Sequence, residues 1–141
     1  MANITNLDKY KSDLSKLIHD GEMLYMAMQY ESNKATFIEA VKKKFGEKYN
    51  DYLKKLPTFN ENYQKWYSQS LVLIKQLLPE RLNDFIKKYE KPKGRKSIEY
   101  GNYVIEDYLQ TLVVTGPGGN RKVGPEAAIP QLEQQLDILK S

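Results

Sequence analysis

Apolar residues recur three and four positions apart within residues 59–78, and this stretch constrains the fold more than any other. An α-helix turns once in about 3.6 residues, so side chains at this spacing line one face. The predicted face consists of Phe59, Tyr63, Trp66, Tyr67, Ser70, Ile74 and Leu77, widened by Leu71, Leu73 and Leu78. A helix with so broad an apolar face is expected to contact neighbours on more than one side. The rest of the chain is therefore expected to pack around it.

The same spacing predicts helices elsewhere in the chain of 141 residues. They cover 6 to about 31, 32 or 33 to 46, a short segment within 47–56, 79–89 and about 103–113. Gly21 lies on the apolar stripe of the first helix, where it marks either a close helix contact or a break. Residues 113–115 are β-prone. A chain of this length can bury a core without disulfides or metals, and we predict an all-α fold, an irregular bundle of about five or six helices.

Residues 116–126, GPGGNRKVGPE, contain four glycines and two prolines, a composition typical of a flexible linker. The predicted division is a helical domain over 1–115, the linker, and a C-terminal helix over 127–141. That helix carries a heptad-like apolar stripe, which predicts an oligomer contact or packing on another domain: Ile129, Leu132, Leu136 and Leu139. Because the stripe is still running at Ser141, we expect the chain to continue, with a natural end or a partner-binding tail as the alternatives.

Several classes of function are excluded by composition. The absence of cysteine excludes disulfides, thiolate metal sites and cysteine nucleophiles. His19 is the sole histidine, so no two-histidine metal site can form within one chain. The glycines of 116–126 do not match a phosphate-binding loop, and Glu80 and Asp84 are placed for ordinary salt links to neighbouring lysines. We predict no enzymatic activity and no cofactor. With no signal peptide and no apolar run of about 20 residues, we predict a cytoplasmic protein with no membrane partner.

The distribution of basic residues predicts a contact with an anionic partner. The chain has 22 basic and 18 acidic residues, a net charge of +4. One basic cluster is Lys42 to Lys44. A second consists of Lys87, Lys88, Lys91, Lys93, Arg95 and Lys96, partly in a proline- and glycine-marked loop. The second cluster is the candidate nucleic-acid contact, with Tyr100 and Tyr103 available for stacking on bases. The alternative interpretation of both clusters is a solvated surface.

The run LLPERLNDFIKKYEKPKGRKSIEYGNYVIEDYLQTL resembles a helical region that precedes a HEPN-like domain in bacterial proteins. The matching residues are 77–80, 84–85, 89–92, 95–96 and 105–109, about the middle third of the chain. The resemblance implies that the C-terminal helix leads into such a domain, and it associates the chain with phage defence or toxin–antitoxin biology. HEPN ribonucleases typically use an arginine followed closely by a histidine. Here His19 precedes every arginine, so ribonuclease activity is not implied.

Two functions are consistent with these patterns. The first is a non-enzymatic protein-interaction or regulatory module of a larger bacterial cytoplasmic protein, pairing through its C-terminal helix with another domain or another copy. The alternative is a nucleic-acid-binding accessory domain that uses the basic segment 87–96.

Overall fold

The computed structural model describes residues 6–115, 117–119 and 121–141. Seven α-helices lie within these residues: α1 (Asn6–Ser32), α2 (Lys34–Phe45), α3 (Tyr49–Lys55), α4 (Phe59–Leu77), α5 (Leu82–Tyr89), α6 (Ile105–Leu109) and α7 (Ile129–Lys140). Short 3-10 turns cover Gly46–Lys48, Pro79–Arg81, Tyr100–Asn102, Pro117–Gly119 and Pro125–Ala128. The predicted all-α bundle is confirmed. A small antiparallel hairpin is added to it, formed by β1 (Val114–Thr115) and β2 (Arg121–Val123), with Val114 opposite Val123.

α4 lies at the centre of the core, as its broad apolar face predicts. It packs against α1 and α5, and α7 in turn packs against α1 and α5. A buried amide joins three of these helices: Tyr63 Oη donates to Gln135 Oε1 at 2.8 Å, and Gln135 Nε2 donates to the carbonyl oxygen of Phe85 at 3.0 Å. Burial raises the pKa of Tyr63 well above its ordinary value, so the phenol remains a neutral donor.

α1, α4 and α7 meet closely at Gly21. A Cβ atom at this position would lie 2.5 Å from Leu136 Cδ2 and 2.8 Å from Trp66 Cζ2, too close for a side chain to fit without movement. Trp66 is held against the same helix, since its Nε1 donates to the carbonyl oxygen of Leu17 at 2.7 Å. α1 continues without interruption through Gly21. The close contact is therefore the correct one of the two predicted alternatives, and the break is not observed.

The C-terminal helix packs within this chain, which contradicts the predicted oligomer contact. Leu132, Leu136 and Leu139 are 0%, 4% and 1% exposed, because α7 lays its apolar stripe against α1 and α5. Ile129, the fourth residue of the predicted contact, is partly buried against the same core. These side chains stabilise the fold and are not an open surface for a partner.

The segment predicted as a linker also contributes to the core. Positions 116 and 120 lie outside the described residues. Val123 is 3% exposed, and Ala127 and Ala128, in the turn that follows, are at most 1% exposed. β2 pairs with β1, with Val123 opposite Val114, and Val123 belongs to the same hydrophobic cluster as the helices. α7 and the helices before it therefore share one hydrophobic core.

α2 and α3 lie at the periphery of the bundle, and we call residues 34–55 the arm. α2 packs against α3 and against α1. Val41 is the buried residue of α2, and α3 has none. Gly46 joins the two helices in a left-handed conformation, φ +59°, that favours glycine.

Candidate nucleic-acid interface

The predicted basic segment 87–96 contains a buried ion pair. Arg95 Nη1 and Nη2 lie 2.7 Å and 3.0 Å from Asp107 Oδ2 and Oδ1, a bidentate pair, and Arg95 Nη1 also donates to the carbonyl oxygen of Asn102 at 3.1 Å. The side chain of Arg95 is 11% exposed and that of Asp107 is fully buried. Arg95 therefore fastens the loop to α6 and has little surface left for a phosphate.

The electrostatics of this pair agree with its geometry. Burial alone would raise the pKa of Asp107. The hydrogen bonds from Arg95 and from the backbone N–H of Val104, with the charges of Arg95 and Lys91, instead lower that pKa below its ordinary value. The hydrogen bonds to Asp107 raise the pKa of Arg95 in turn, although burial acts against this. Both groups are thus held in their charged forms.

Lys91 is also engaged within the fold. Its backbone N–H donates to Glu106 Oε1 at 2.9 Å, its Nζ donates to Gln110 Oε1 at 2.7 Å, and the same Nζ lies 4.0 Å from Asp107. Lys91 and Arg95 therefore fix the segment to α6. Lys87, Lys93 and Lys96 are exposed, and Lys88 is half-buried at the end of α5.

The two tyrosines predicted to stack on bases differ in their exposure to solvent. Tyr103 is fully buried, and its Oη donates to the carbonyl oxygen of Leu112 at 2.7 Å. Tyr100 is 57% exposed. Tyr103 belongs to the core and cannot stack on a base, so its predicted role is wrong for a structural reason. The segment keeps exposed lysines without the paired aromatic surface that the sequence suggested.

The net charge of the chain lies in the arm. Seven of the 22 basic residues and three of the 18 acidic residues fall within 34–55, so the arm carries +4 and the remainder of the chain is neutral. The lysines are Lys34, Lys42, Lys43, Lys44, Lys48, Lys54 and Lys55, all of them exposed. A basic patch on a peripheral pair of helices attracts anions electrostatically.

Aromatic side chains lie among these lysines. Phe45, which is 37% exposed, stacks on Tyr52 with ring centroids 4.7 Å apart. Lys44 Nζ lies 5.4 Å from the centroid of Phe45, and Lys42 Nζ lies 4.9 Å from that of Tyr49. The tip of the arm thus presents two aromatic rings, Phe45 and Tyr49, each with one lysine close by, and surfaces that bind single-stranded nucleic acid often combine rings with cations in this way.

Both ends of the arm are joined to the core at Glu31. Its carboxylate accepts hydrogen bonds from the backbone N–H of Phe59, at 3.3 Å, and from Tyr108 Oη, at 2.9 Å. Glu31 lies three residues before the arm, and Phe59 four residues after it. Partial burial, and the hydrogen bond and charge of Glu31, raise the pKa of Tyr108 strongly, so it remains a donor. The carboxylate fixes where the arm leaves the bundle.

Two further properties of the described residues concern metal ions and membranes. Across residues 6–115, 117–119 and 121–141, no three histidine, cysteine or acidic side chains cluster to hold a metal ion. Within those same ranges, none of the helices is both long and apolar enough to cross a membrane.

The arm as a unit was missed by sequence reasoning, although Lys42 to Lys44 were recognised as a cluster. Lys48 lies in the turn after that cluster and Lys54 and Lys55 end α3, so they belong to the same peripheral unit only because α3 packs on α2. Partitioning the net charge by predicted helix would have revealed the asymmetry.

The chain matches no protein-family model, no curated protein and no solved structure. The resemblance to HEPN-associated proteins therefore stays a prediction.

Proposed function

We propose that this chain is a non-enzymatic helical binding module whose arm binds single-stranded nucleic acid. One observation carries the proposal: the arm holds the entire net charge of +4, and its tip exposes the ring of Phe45 beside Lys44. Lysines neutralise phosphates and release condensed counterions, and an exposed ring supplies a stacking surface for an unpaired base.

The exposed ring favours a single strand over a duplex. Bases in a duplex are stacked on each other and present only their edges, whereas an unpaired base can stack on Phe45. Lysine clusters alone would bind either form through phosphate. Discrimination between the two forms therefore depends on Phe45.

The sequence also suggested a protein-interaction module that pairs through α7. We do not propose this function, because Leu132, Leu136 and Leu139 are buried within the chain. An acidic protein surface remains a chemically distinct occupant of the arm, and the experiment below separates it from nucleic acid.

Fluorescence anisotropy of a labelled oligothymidylate tests the proposal. Lys42→Gln/Lys43→Gln/Lys44→Gln removes three charges from the arm, and Lys87→Gln/Lys93→Gln/Lys96→Gln removes three exposed charges from the loop as the matched control. We expect the arm variant to weaken binding about tenfold or more at low salt, and the slope of log K against log salt to fall by about 2, since each lost phosphate contact removes about 0.7. We expect the loop variant to stay near wild type.

Phe45→Ala tests the stacking component. Loss of one base contact of this kind costs about 1–3 kcal/mol of binding free energy. We expect Phe45→Ala to weaken binding of the single-stranded oligonucleotide and to leave binding of duplex unchanged. A larger effect of the loop variant than of the arm variant would contradict the assignment to the arm. Competition by polyglutamate as effective as that by oligothymidylate, at equal charge concentration, would favour an acidic protein partner and overturn nucleic acid.

A further inference from the structure

A groove runs between α1 and α4 beside the arm, and we call it the α1–α4 groove. It consists of two adjoining depressions of about 350 Å³ and about 460 Å³, which share Lys16 and Gln69 in their walls. Met23, Leu24 and Trp66 supply apolar wall in the first depression. Both are large enough to receive part of a ligand, and neither overlaps the buried network at Asp107.

Cations from three helices converge on the first depression. Lys16 comes from α1, Lys55 from α3 and Lys65 from α4. All three are exposed, and within the described part of the chain none of them forms an ion pair at 4.0 Å or less. Cations that converge without carboxylate partners are suited to an anion, because mutual repulsion is relieved when it binds.

The other polar groups of the groove define its limits. His19 and Asp20 of α1 and the amides of Asn62 and Gln69 line the first depression. Lys9 and Asp13 line the second. The lysines outnumber the carboxylates in both depressions taken together, so an anion is favoured over a cation.

Lys55 connects the groove to the arm. It is the last residue of α3, and so belongs to the arm, and it also lines the first depression. Lys55 is therefore a cation that the arm and the groove share, whereas the exposed carboxylates of Glu47 and Asp51 lie between it and Phe45 in sequence.

We infer that the α1–α4 groove binds phosphate groups of the same nucleic-acid strand that the arm binds, so that the strand passes from the ring of Phe45 across Lys55 to Lys16 and Lys65. This inference rests on the proposed function of the arm. It assigns the strand a path over the protein surface. A short oligonucleotide bound at the arm would not reach the groove, whereas a longer one would.

Trp66 provides a reporter inside the groove. It is the only tryptophan of the chain, it lines the first depression, and its Nε1 is held by the carbonyl oxygen of Leu17. The wild-type chain is titrated with oligothymidylates of about 4 and about 16 nucleotides, a range that spans typical single-strand sites. The anisotropy of a label and the tryptophan emission are measured in the same titration. We expect the longer oligonucleotide to change both signals over the same concentration range, and the shorter one to change anisotropy with a smaller emission change.

Lys16→Gln/Lys65→Gln removes two exposed cations of the groove, and Lys87→Gln/Lys93→Gln is the matched control. We expect the groove variant to show no emission change. We expect it to bind the long oligonucleotide about fivefold or more weakly, with little change for the short one. The slope of log K against log salt for the long oligonucleotide is expected to fall by about 1.4. We expect the control to behave as wild type. Circular dichroism of each variant establishes that the fold is unchanged.

The outcomes separate the two proposals. Tight binding that depends on Lys42 to Lys44 but leaves tryptophan emission constant, with the groove variant equal to its control, overturns the groove inference alone. No binding of any oligonucleotide overturns the proposed function and the strand path together. An emission change produced by inorganic pyrophosphate but not by oligothymidylate identifies a site for a free phosphate compound, and also overturns the strand path.

Discussion

Asp107 is a buried charge that the surrounding chain satisfies completely. It accepts two hydrogen bonds from Arg95 and one from the backbone N–H of Val104, at 2.9 Å. We expect Asp107→Asn to lower the free energy of unfolding by about 3–5 kcal/mol, because it leaves Arg95 buried without its counter-charge. Urea unfolding followed by circular dichroism measures the change.

The matched control for this prediction is the double variant Arg95→Met/Asp107→Asn. Removal of both charges eliminates the unpaired ion, so we expect the double variant to be less destabilised than the sum of the two single variants, by about 0.5–3 kcal/mol. Strict additivity would mean that the two side chains do not stabilise each other.

The acid sensitivity of the fold follows from the same carboxylate. Its pKa is lower in the folded state than the value of about 3.9 of an unfolded aspartate. Between the two values the unfolded chain binds more protons, so stability falls as pH falls. The contribution of Asp107 is therefore complete above about pH 4 and is lost as pH drops through the folded-state pKa. We expect the stability difference between wild type and Asp107→Asn to narrow below about pH 4, and a constant difference down to pH 2 would contradict this.

Gly21 is required by packing and not by backbone conformation. Alanine is the better helix former by up to about 1 kcal/mol. A Cβ atom at Gly21 would nevertheless collide with Leu136 and Trp66, and overpacking of this kind costs about 1–3 kcal/mol. We expect Gly21→Ala to lower the thermal midpoint. Gly101→Ala is the control, since no atom lies within 4 Å of a Cβ built there. Equal midpoints for the two variants would contradict the close contact.

At the scale of the elements, α7 is part of the core and not an accessory. We expect Leu132→Ala to destabilise the fold by about 2–5 kcal/mol, the usual cost of a large buried truncation. Val72→Ala on α4 is the control, because Val72 is 62% exposed and such substitutions stay within about 0.5 kcal/mol. A loss of self-association with unchanged monomer stability would restore the oligomer contact in place of the core role.

The helices whose apolar residues repeat over several turns could be predicted from sequence, and α6 shows where such prediction fails. α4 lies at Phe59–Leu77, close to the predicted stretch. α6 spans Ile105–Leu109 and not 103–113, because Thr111 adopts φ +52° and the backbone N–H groups of Thr111 and Leu112 donate back to Tyr108 and Asp107. This is a helix-ending motif in which glycine is usual at the left-handed position. A threonine there gives no sequence signal.

The candidate site was only partly predictable for a related reason. Lysine clusters can be located along the chain, but their availability depends on tertiary partners. Arg95 is paired with Asp107, twelve positions away, whereas Lys42 to Lys44 remain exposed on a helix that packs on the lysine-bearing α3. Neither outcome follows from local spacing.

At the scale of the whole molecule, stability is distributed unevenly between the arm and the core. The arm buries Val41 alone, whereas α4 buries seven residues, among them Tyr63 and Trp66. Local opening is cheapest where few apolar contacts are lost. We expect amide hydrogens of α2 and α3 to exchange through local opening, faster than those of α4 and α7, and to slow when oligothymidylate is added. Uniform protection across all four helices would contradict this.

The pairing of α1 with α7 has a consequence for synthesis. α1 ends at Ser32 and α7 begins at Ile129, so about a hundred residues must be added before the part of α1 that packs on α7 can be covered, whereas the part that packs on α4 can be covered earlier. At a translation rate of about 5–20 residues per second, this interval lasts roughly 5 to 20 seconds. Nascent chains stalled before Ile129 are expected to bind a dye specific for apolar surface. Chains stalled after α7 has emerged from the ribosome are expected to bind less of it.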